Sequence, residues 1–188
     1  MRSGLSNLNA IRWPLRRLCA AGLLLALAGL WVAGFPPAAR AGDTSLCGGN
    51  VTTNDAKITR TIFCAEADVS RYFLISPDLK ALSDAQRVDV LQRPTYYTLA
   101  YMTAALANDI QADFAQADVQ SATYTGTIAV RGAGNRDVDN QAFTLSLDRK
   151  AEEGIDWKTF PAMNLLSLPG ARQTPWLQQR LSTESAAK

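Results

Sequence analysis

The clearest hydrophobic pattern in the chain lies between residues 95 and 117, where apolar residues recur at steps of three and four. They are Leu99, Met102, Leu106, Ile110 and Phe114. Four polar residues fall largely off this stripe, namely Asp109, Gln111, Asp113 and Gln116. The spacing predicts a long amphipathic helix whose stripe packs on the domain's own core. A helix that binds a membrane surface would usually carry Lys and Arg on its polar face, and this one does not.

After Asp118 the period of the pattern changes from about 3.6 to 2. In residues 124–130 one face carries Tyr124, Gly126, Ile128 and Val130, and in residues 142–148 one face carries Phe143, Leu145 and Leu147. A third apolar segment, residues 155–160, follows a turn at 151–154. The pattern predicts an antiparallel meander of three or four strands, apolar on one side. The apolar side of the sheet and the apolar stripe of the helix must each be buried against another element. The predicted fold class is therefore α+β, with the long helix across the sheet.

A helix followed by a meander whose last strand carries Trp157 and Lys158 is similar in outline to the small cone-shaped domains of the NTF2-like kind. The resemblance covers residues 95–160 only. It implies a cone-shaped arrangement of the helix and sheet, and it implies no particular activity. A mainly α fold is the remaining alternative.

The other segments give weaker signals. Residues 42–60 are rich in Gly, Thr and Asn and are interpreted as loop, with a short strand as an additional possibility. Residues 76–78 form a turn signal, and Ser83 with Asp84 offers an N-cap for a short helix that Pro94 ends. Residues 177–181 predict a short terminal helix, and residues 182–188 a frayed tail. Residues 42–188 are thus predicted to form a single domain.

The N-terminus has the layout of an export signal. The first 41 residues contain five arginines and no acidic residue, and an apolar run at 18–35 follows Arg16 and Arg17. Two prolines and an Ala-x-Ala pattern ending at Ala41 come next, so cleavage is predicted after Ala41. The alternative is that residues 18–35 remain as a membrane anchor. The predicted location is the periplasm or a comparable lumen.

Removing this segment changes the sign of the charge. The whole chain has a formal net charge of +2, whereas residues 42–188 hold 14 basic and 17 acidic residues, a net charge of −3. No cluster of Lys and Arg remains there. We therefore expect no nucleic-acid partner and no direct membrane insertion after cleavage.

Two cysteines remain after cleavage, Cys47 and Cys64, with sixteen residues between them. An even number of cysteines in an exported chain predicts a disulfide. A metal site would need further Cys or His ligands, and the chain has no histidine. A redox-active pair would normally have the spacing Cys-x-x-Cys. The pair is therefore predicted to be a structural disulfide that ties the polar start to the apolar segment at 62–64.

The absence of histidine removes the usual general base of Ser and Cys hydrolases, and no nucleotide-binding loop is present. We therefore predict no catalytic residue, no cofactor and no metal. One polar candidate is the connection at 131–140, interpreted as an exposed hairpin loop and possible recognition tip. Its members are Arg131, Asn135, Arg136, Asp137 and Asp139. Asp137, Asp139 and Asn140 do not follow the order of an EF-hand calcium loop.

A second polar candidate is the pair Glu152 and Glu153, next to Asp156 and Trp157. Paired carboxylates serve glycosidases, but adjacent side chains on a turn point apart. The sequence therefore favours a non-enzymatic accessory or assembly subunit of an envelope or membrane-associated complex, with a protein as its partner. A small exported inhibitor or immunity-type protein, binding through the 131–140 loop, is the first alternative. A histidine-free carboxylate hydrolase is the second.

Overall fold

The computed structural model describes residues 46–75 and 82–186. The predicted export signal, its cleavage site and the possible anchor at 18–35 lie outside these residues. So do the turn at 76–78 and residues 187–188 at the end of the tail.

The described chain forms an α+β domain built on a sheet of five strands in the order β1-β2-β3-β4-β5. The strands are β1 (Cys47–Asn54), β2 (Lys57–Ala65), β3 (Ser121–Arg131), β4 (Asp137–Asp148) and β5 (Ala171–Gln173). The helices are α1 (Glu66–Ile75), α2 (Asp84–Gln92), α3 (Pro94–Phe114), α4 (Arg149–Glu153) and α5 (Pro175–Ala186). The α+β prediction is confirmed, and the alternative of a mainly α fold is wrong. The predicted antiparallel sheet of three or four strands is corrected to five strands, of which β2 and β3 run parallel.

The sheet is mixed. β1 and β2 form an antiparallel hairpin, β3 pairs antiparallel with β4, and β4 pairs antiparallel with β5. β2 and β3, however, run parallel. A parallel pair needs a long crossover connection, and here α1, α2 and α3 provide it.

The predicted long helix is confirmed as α3. All five residues of its apolar stripe are buried in the core. The helix and the sheet pack tightly around Gly126 of β3, where an added Cβ atom would overlap the Phe143 ring and lie 2.8 Å from the Met102 sulfur. Glycine at this position therefore lets α3 pack against β3 and β4, and a side chain there would force them apart.

The predicted short helix is also confirmed. Ser83 caps α2 through a capping box with Gln86, in which each side chain bonds the other residue's backbone N–H. Pro94 ends α2 as predicted and also occupies the first turn of α3, where its missing N–H costs nothing.

The loop prediction for residues 42–60 is wrong for most of the part that the structure describes, because β1 occupies residues 47–54 and β2 begins at residue 57. Thr and Val suit strands well, while Gly and Asn usually do not. The hairpin forms here because β2 is itself paired on its other side with β3 and gives β1 a fixed edge.

The prediction of a third strand at residues 155–160 is also wrong. Asp148 caps the short helix α4 instead, and the chain then makes turns in which Trp157 packs edge-on against Phe160. The strand that pairs with β4 is β5, which follows a 3-10 segment at Ala162–Ser167. Without a strand carrying Trp157 and Lys158, the feature behind the NTF2-like resemblance is absent from the described fold.

The predicted terminal helix is confirmed but is longer than expected. α5 continues to Ala186, so the described part of the segment predicted as frayed is helical. Glu184 in its last turn is buried, and its carboxylate accepts hydrogen bonds from the backbone N–H groups of Thr95 and Tyr96 at the start of α3. This contact between distant segments fixes the last turn of α5 against the start of α3.

Candidate interaction surfaces

One face of the sheet packs against the helices, and the opposite face is lined by short uncharged polar side chains. Residues opposite one another on paired strands lie on the same face. A first row across four strands consists of Thr52, Thr59, Thr123 and Ser146, and a second row of Asn50, Thr61, Thr125 and Thr144. We call these eight residues the hydroxyl face. None of the eight is buried.

Charged residues lie around the hydroxyl face and not within it. Lys57 and Asp148 flank it on one side, Asp139 lies beyond it on the other, and Arg172 continues the second row on β5. Phe63 adjoins the face and is 37% exposed. The arrangement is an uncharged centre with a charged rim. Protein interfaces likewise hold few charged residues at their centre, because burying a charge costs far more than burying a hydroxyl that finds a partner.

The predicted recognition loop is a tight hairpin tip that is shorter than expected. β3 continues to Arg131 and β4 begins at Asp137, so only residues 132–136 connect the strands. The backbone closes through a hydrogen bond from Gly132 N to Arg136 O. Gly134 and Asn135 both have positive φ, at 77° and 61°. Glycine adopts this conformation freely and Asn tolerates it better than most residues, which explains their use at the tip.

The charged members of this loop are exposed, and they do not converge on one point. Arg131 Nε lies 3.6 Å from Asp137 Oδ1 across the base of the hairpin. Asp137 and Asp139 share one face of β4, whereas Asn140 lies on the other and donates its side-chain N–H to Val138 O. Asp137, Asp139 and Asn140 therefore do not form the oxygen cluster that a calcium ion needs.

The predicted disulfide is confirmed. Cys47 and Cys64 are bonded, with their Cα atoms 4.3 Å apart at directly opposed positions on β1 and β2. The bond joins the first residue of the hairpin to the buried end of β2. A structural disulfide persists in a non-reducing compartment, and its presence is consistent with export.

A buried polar cluster lies between α3 and the sheet, and the hydrophobic pattern of the sequence does not predict it. Arg60 on β2 donates two hydrogen bonds to the Asp113 carboxylate, from Nη2 to Oδ1 at 2.6 Å and from Nε to Oδ2 at 3.1 Å. The Tyr124 hydroxyl also donates to Asp113 Oδ2, at 3.3 Å. The spacing predicts that Asp113 lies on the polar face of α3, yet it is buried. Its position one residue before the last apolar residue of the stripe is the only sequence signal of this burial.

The local environment of this cluster changes proton affinities. The hydrogen bond to Asp113 raises the pKa of Arg60, and burial raises the pKa of Tyr124 far above its ordinary value. Burial also raises the pKa of the neighbouring Asp109. The cluster is a charged pair with a neutral tyrosine, and every polar group in it has a partner within the protein. We interpret it as a packing contact.

The carboxylate pair considered for hydrolysis is not arranged as a free acid and base. Glu152 Oε1 accepts a hydrogen bond of 2.8 Å from the Trp157 indole, while Glu153 is exposed. Asp156 accepts from the Thr159 hydroxyl and from the Lys158 backbone. Two of the three carboxylates therefore hold the turns that follow α4.

Within residues 46–75 and 82–186, no helix has the length and hydropathy needed to cross a membrane. No group of three or more Cys, Asp and Glu side chains in those segments is placed to hold a metal ion. Comparison of the chain with protein families, with characterised proteins and with solved structures finds no match.

Proposed function

We propose that this protein is an exported, non-enzymatic accessory or assembly subunit that binds a protein of an envelope or membrane-associated complex, in a periplasm or comparable lumen. The observation that carries the proposal is the hydroxyl face. Its eight uncharged polar residues cover the centre of one face of the sheet, and none of them is buried.

The chemistry of the hydroxyl face suits a protein partner. Each Thr and Ser hydroxyl both donates and accepts hydrogen bonds, so the face is able to match backbone and side-chain groups of either kind. The β-branched threonines hold few rotamers, which lowers the entropy lost on binding. Phe63 supplies an exposed aromatic group at the edge, of the type enriched in protein interfaces.

The test places a charge at the centre of this face. Thr125 lies in the second row on β3, between Thr61 and Thr144. We expect Thr125→Lys to leave the melting temperature close to that of the natural protein, because the side chain has room to extend into solvent. We expect it to weaken partner binding by more than about tenfold, because a lysine would be buried without a counter-charge.

The measurement is native mass spectrometry of the full-length gene product, tagged at its C-terminus and purified from gently solubilised envelopes. Gln178→Lys, which adds the same charge at an exposed position of α5, is the matched control. A defined heteromeric assembly that is lost in Thr125→Lys and kept in Gln178→Lys supports the proposal. Recovery of the natural protein with no stoichiometric partner would refute it.

The hairpin tip favours a second candidate function, that of an exported inhibitor or immunity-type protein. Every residue from Ala133 to Asp139 is exposed, so the tip is free to enter the cleft of an enzyme. Deletion of residues 132–135 should then abolish partner binding while the melting transition changes little. Equal loss of binding and of folded structure would contradict this candidate.

A further inference from the structure

Within residues 46–75 and 82–186, the outer edge of β1 has none of the features that usually protect an exposed strand. β1 is eight residues long, seven of them are exposed, and it contains neither a charged residue nor a proline. The opposite edge of the sheet is formed by β5, which is only three residues long. Short edges, charges and prolines prevent sheets from pairing with other chains, so β1 is the unprotected edge.

The positions of the cysteines show which backbone groups of β1 point outward. A Cα separation of 4.3 Å between Cys47 and Cys64 is typical of a pair without mutual backbone hydrogen bonds, and such pairs alternate with bonded pairs along an antiparallel ladder. Gly49, Val51 and Thr53 occupy the same kind of position as Cys47. Their N–H and C=O groups are therefore directed away from β2, towards the open edge.

We propose that β1 pairs antiparallel with β1 of a second copy of this chain, about a two-fold axis at Val51. In this register Val51 lies opposite its own counterpart, and Gly49 lies opposite the counterpart of Thr53. The outward groups of these residues would form about six main-chain hydrogen bonds. The result is one continuous sheet with twice the five strands of the single chain. This inference does not depend on the proposed function.

Three observations favour a second copy over another occupant. The strand is uncharged, so pairing it with itself places no like charges opposite one another. Two copies match in length, and an antiparallel pair of identical strands satisfies two-fold symmetry without further adjustment. The exposed apolar side chain of β1, Val51, is 53% exposed and would lie against its own counterpart.

The dimer would join the hydroxyl faces of the two copies into one larger surface. A two-fold axis perpendicular to the sheet keeps both helical layers on one side and both hydroxyl faces on the other. The rows that begin at Thr52 and Asn50 would then continue into the second copy. The helices leave residues 48–54 of β1 exposed, so they do not obstruct the approach of the second strand.

The test uses the direction of the Val51 N–H. Val51→Pro removes an outward N–H and keeps the pairing of β1 with β2, because proline is tolerated on an edge strand when its N–H faces solvent. Val51→Lys keeps the N–H and places two like charges opposite each other. Val51→Thr, which keeps both the β-branch and the N–H, is the matched control. The full-length gene product is studied by sedimentation equilibrium, with amide hydrogen exchange as a second measurement.

We expect a concentration-dependent dimer in the natural protein and in Val51→Thr, with slowed exchange at Gly49, Val51 and Thr53. In Val51→Pro and Val51→Lys we expect dissociation to increase by more than about tenfold while the near-UV circular dichroism stays unchanged. A monomer at all concentrations, or a dimer that persists in both variants, would overturn the inference. Retention of the heteromeric partner by a monomeric Val51→Pro would leave the proposed function intact.

Discussion

Arg60 on β2 and Asp113 near the end of α3 form a two-point ion pair, with nitrogen–oxygen distances of 2.6 and 3.1 Å. The side chain of Asp113 is 4% exposed and that of Arg60 is 22% exposed. The pair therefore fixes the C-terminal end of the long helix over the parallel strands β2 and β3. Tyr124 on β3 completes it by donating a hydrogen bond to the same carboxylate.

Removing the arginine should destabilise the fold strongly. Arg60→Gln removes the positive charge that balances the buried Asp113 carboxylate, together with both guanidinium hydrogen bonds, and an uncompensated buried charge is costly. We expect the free energy of unfolding to fall by about 3 kcal/mol, measured by chemical denaturation at pH 7. Arg131→Gln is the matched control. It breaks an ion pair whose side chains are 58% and 51% exposed, so we expect a change below about 0.5 kcal/mol. Similar losses in the two variants would contradict our interpretation of the cluster.

Glu184 should contribute to stability although it lies near the end of the chain. Its carboxylate accepts hydrogen bonds of 2.9 and 3.0 Å from Thr95 N and Tyr96 N, two of the unpaired N–H groups in the first turn of α3. We expect Glu184→Ala to lower the free energy of unfolding by about 2 kcal/mol, because it removes both bonds and a negative charge from the positive end of the helix dipole. Ser182→Ala, at an exposed position of the same helix, should have almost no effect. A frayed tail would make the two variants indistinguishable in thermal melts.

The disulfide should stabilise the domain without being needed for its topology. Cys47 and Cys64 are separated by 17 positions, and restricting a loop of this size in the unfolded chain contributes about 3 kcal/mol. We expect the double variant Cys47→Ser, Cys64→Ser to fold with its melting temperature lowered. Its far-UV circular dichroism should match that of the natural protein at low temperature. Reduction of the natural protein should give the same shift, and a shift seen only in the double variant would indicate that the serines themselves disturb the core.

The stability of the fold should decrease at alkaline pH. Burial, followed by the hydrogen bond to Asp89, raises the pKa of Tyr97 from an ordinary 10.0 to about 12. A group whose pKa is raised in the folded state contributes stability that is complete below the unfolded pKa, and that is lost as pH rises through the folded pKa. We therefore expect the free energy of unfolding to fall between pH about 10 and pH about 12.

Replacing the tyrosine isolates its part of this effect. In Tyr97→Phe the decrease between those pH values should be smaller than in the natural protein. It should not vanish, because burial also raises the pKa of Tyr124 and Tyr101. The measurement is urea denaturation at a series of pH values. An unchanged slope in the variant would show that Tyr97 ionises equally easily in the folded and unfolded chain.

Elements whose signals are local could be predicted from the amino-acid sequence alone. The stripe from Leu99 to Phe114 lies within one helix, and the alternation in β3 and β4 lies within single strands. The capping box of Ser83 and Gln86 spans one turn. The pairing of the two cysteines that follow the predicted signal also needed no tertiary information, because no other cysteine remains there. In each case the structure follows from residues that lie within one short stretch of the chain.

Features that depend on partners distant in the sequence could not be predicted from it, because the fold brings those partners together. The polar hairpin of β1 and β2 exists because β3, more than 50 residues later, pairs with β2. Asp113 is buried because Arg60 meets it across a separation of 53 residues, and Glu184 because Thr95 meets it across 89. The hydroxyl face likewise arises from threonines of separate strands that the register brings into line. Burial of a residue can be predicted from the sequence only where the residues that cover it are close along the chain.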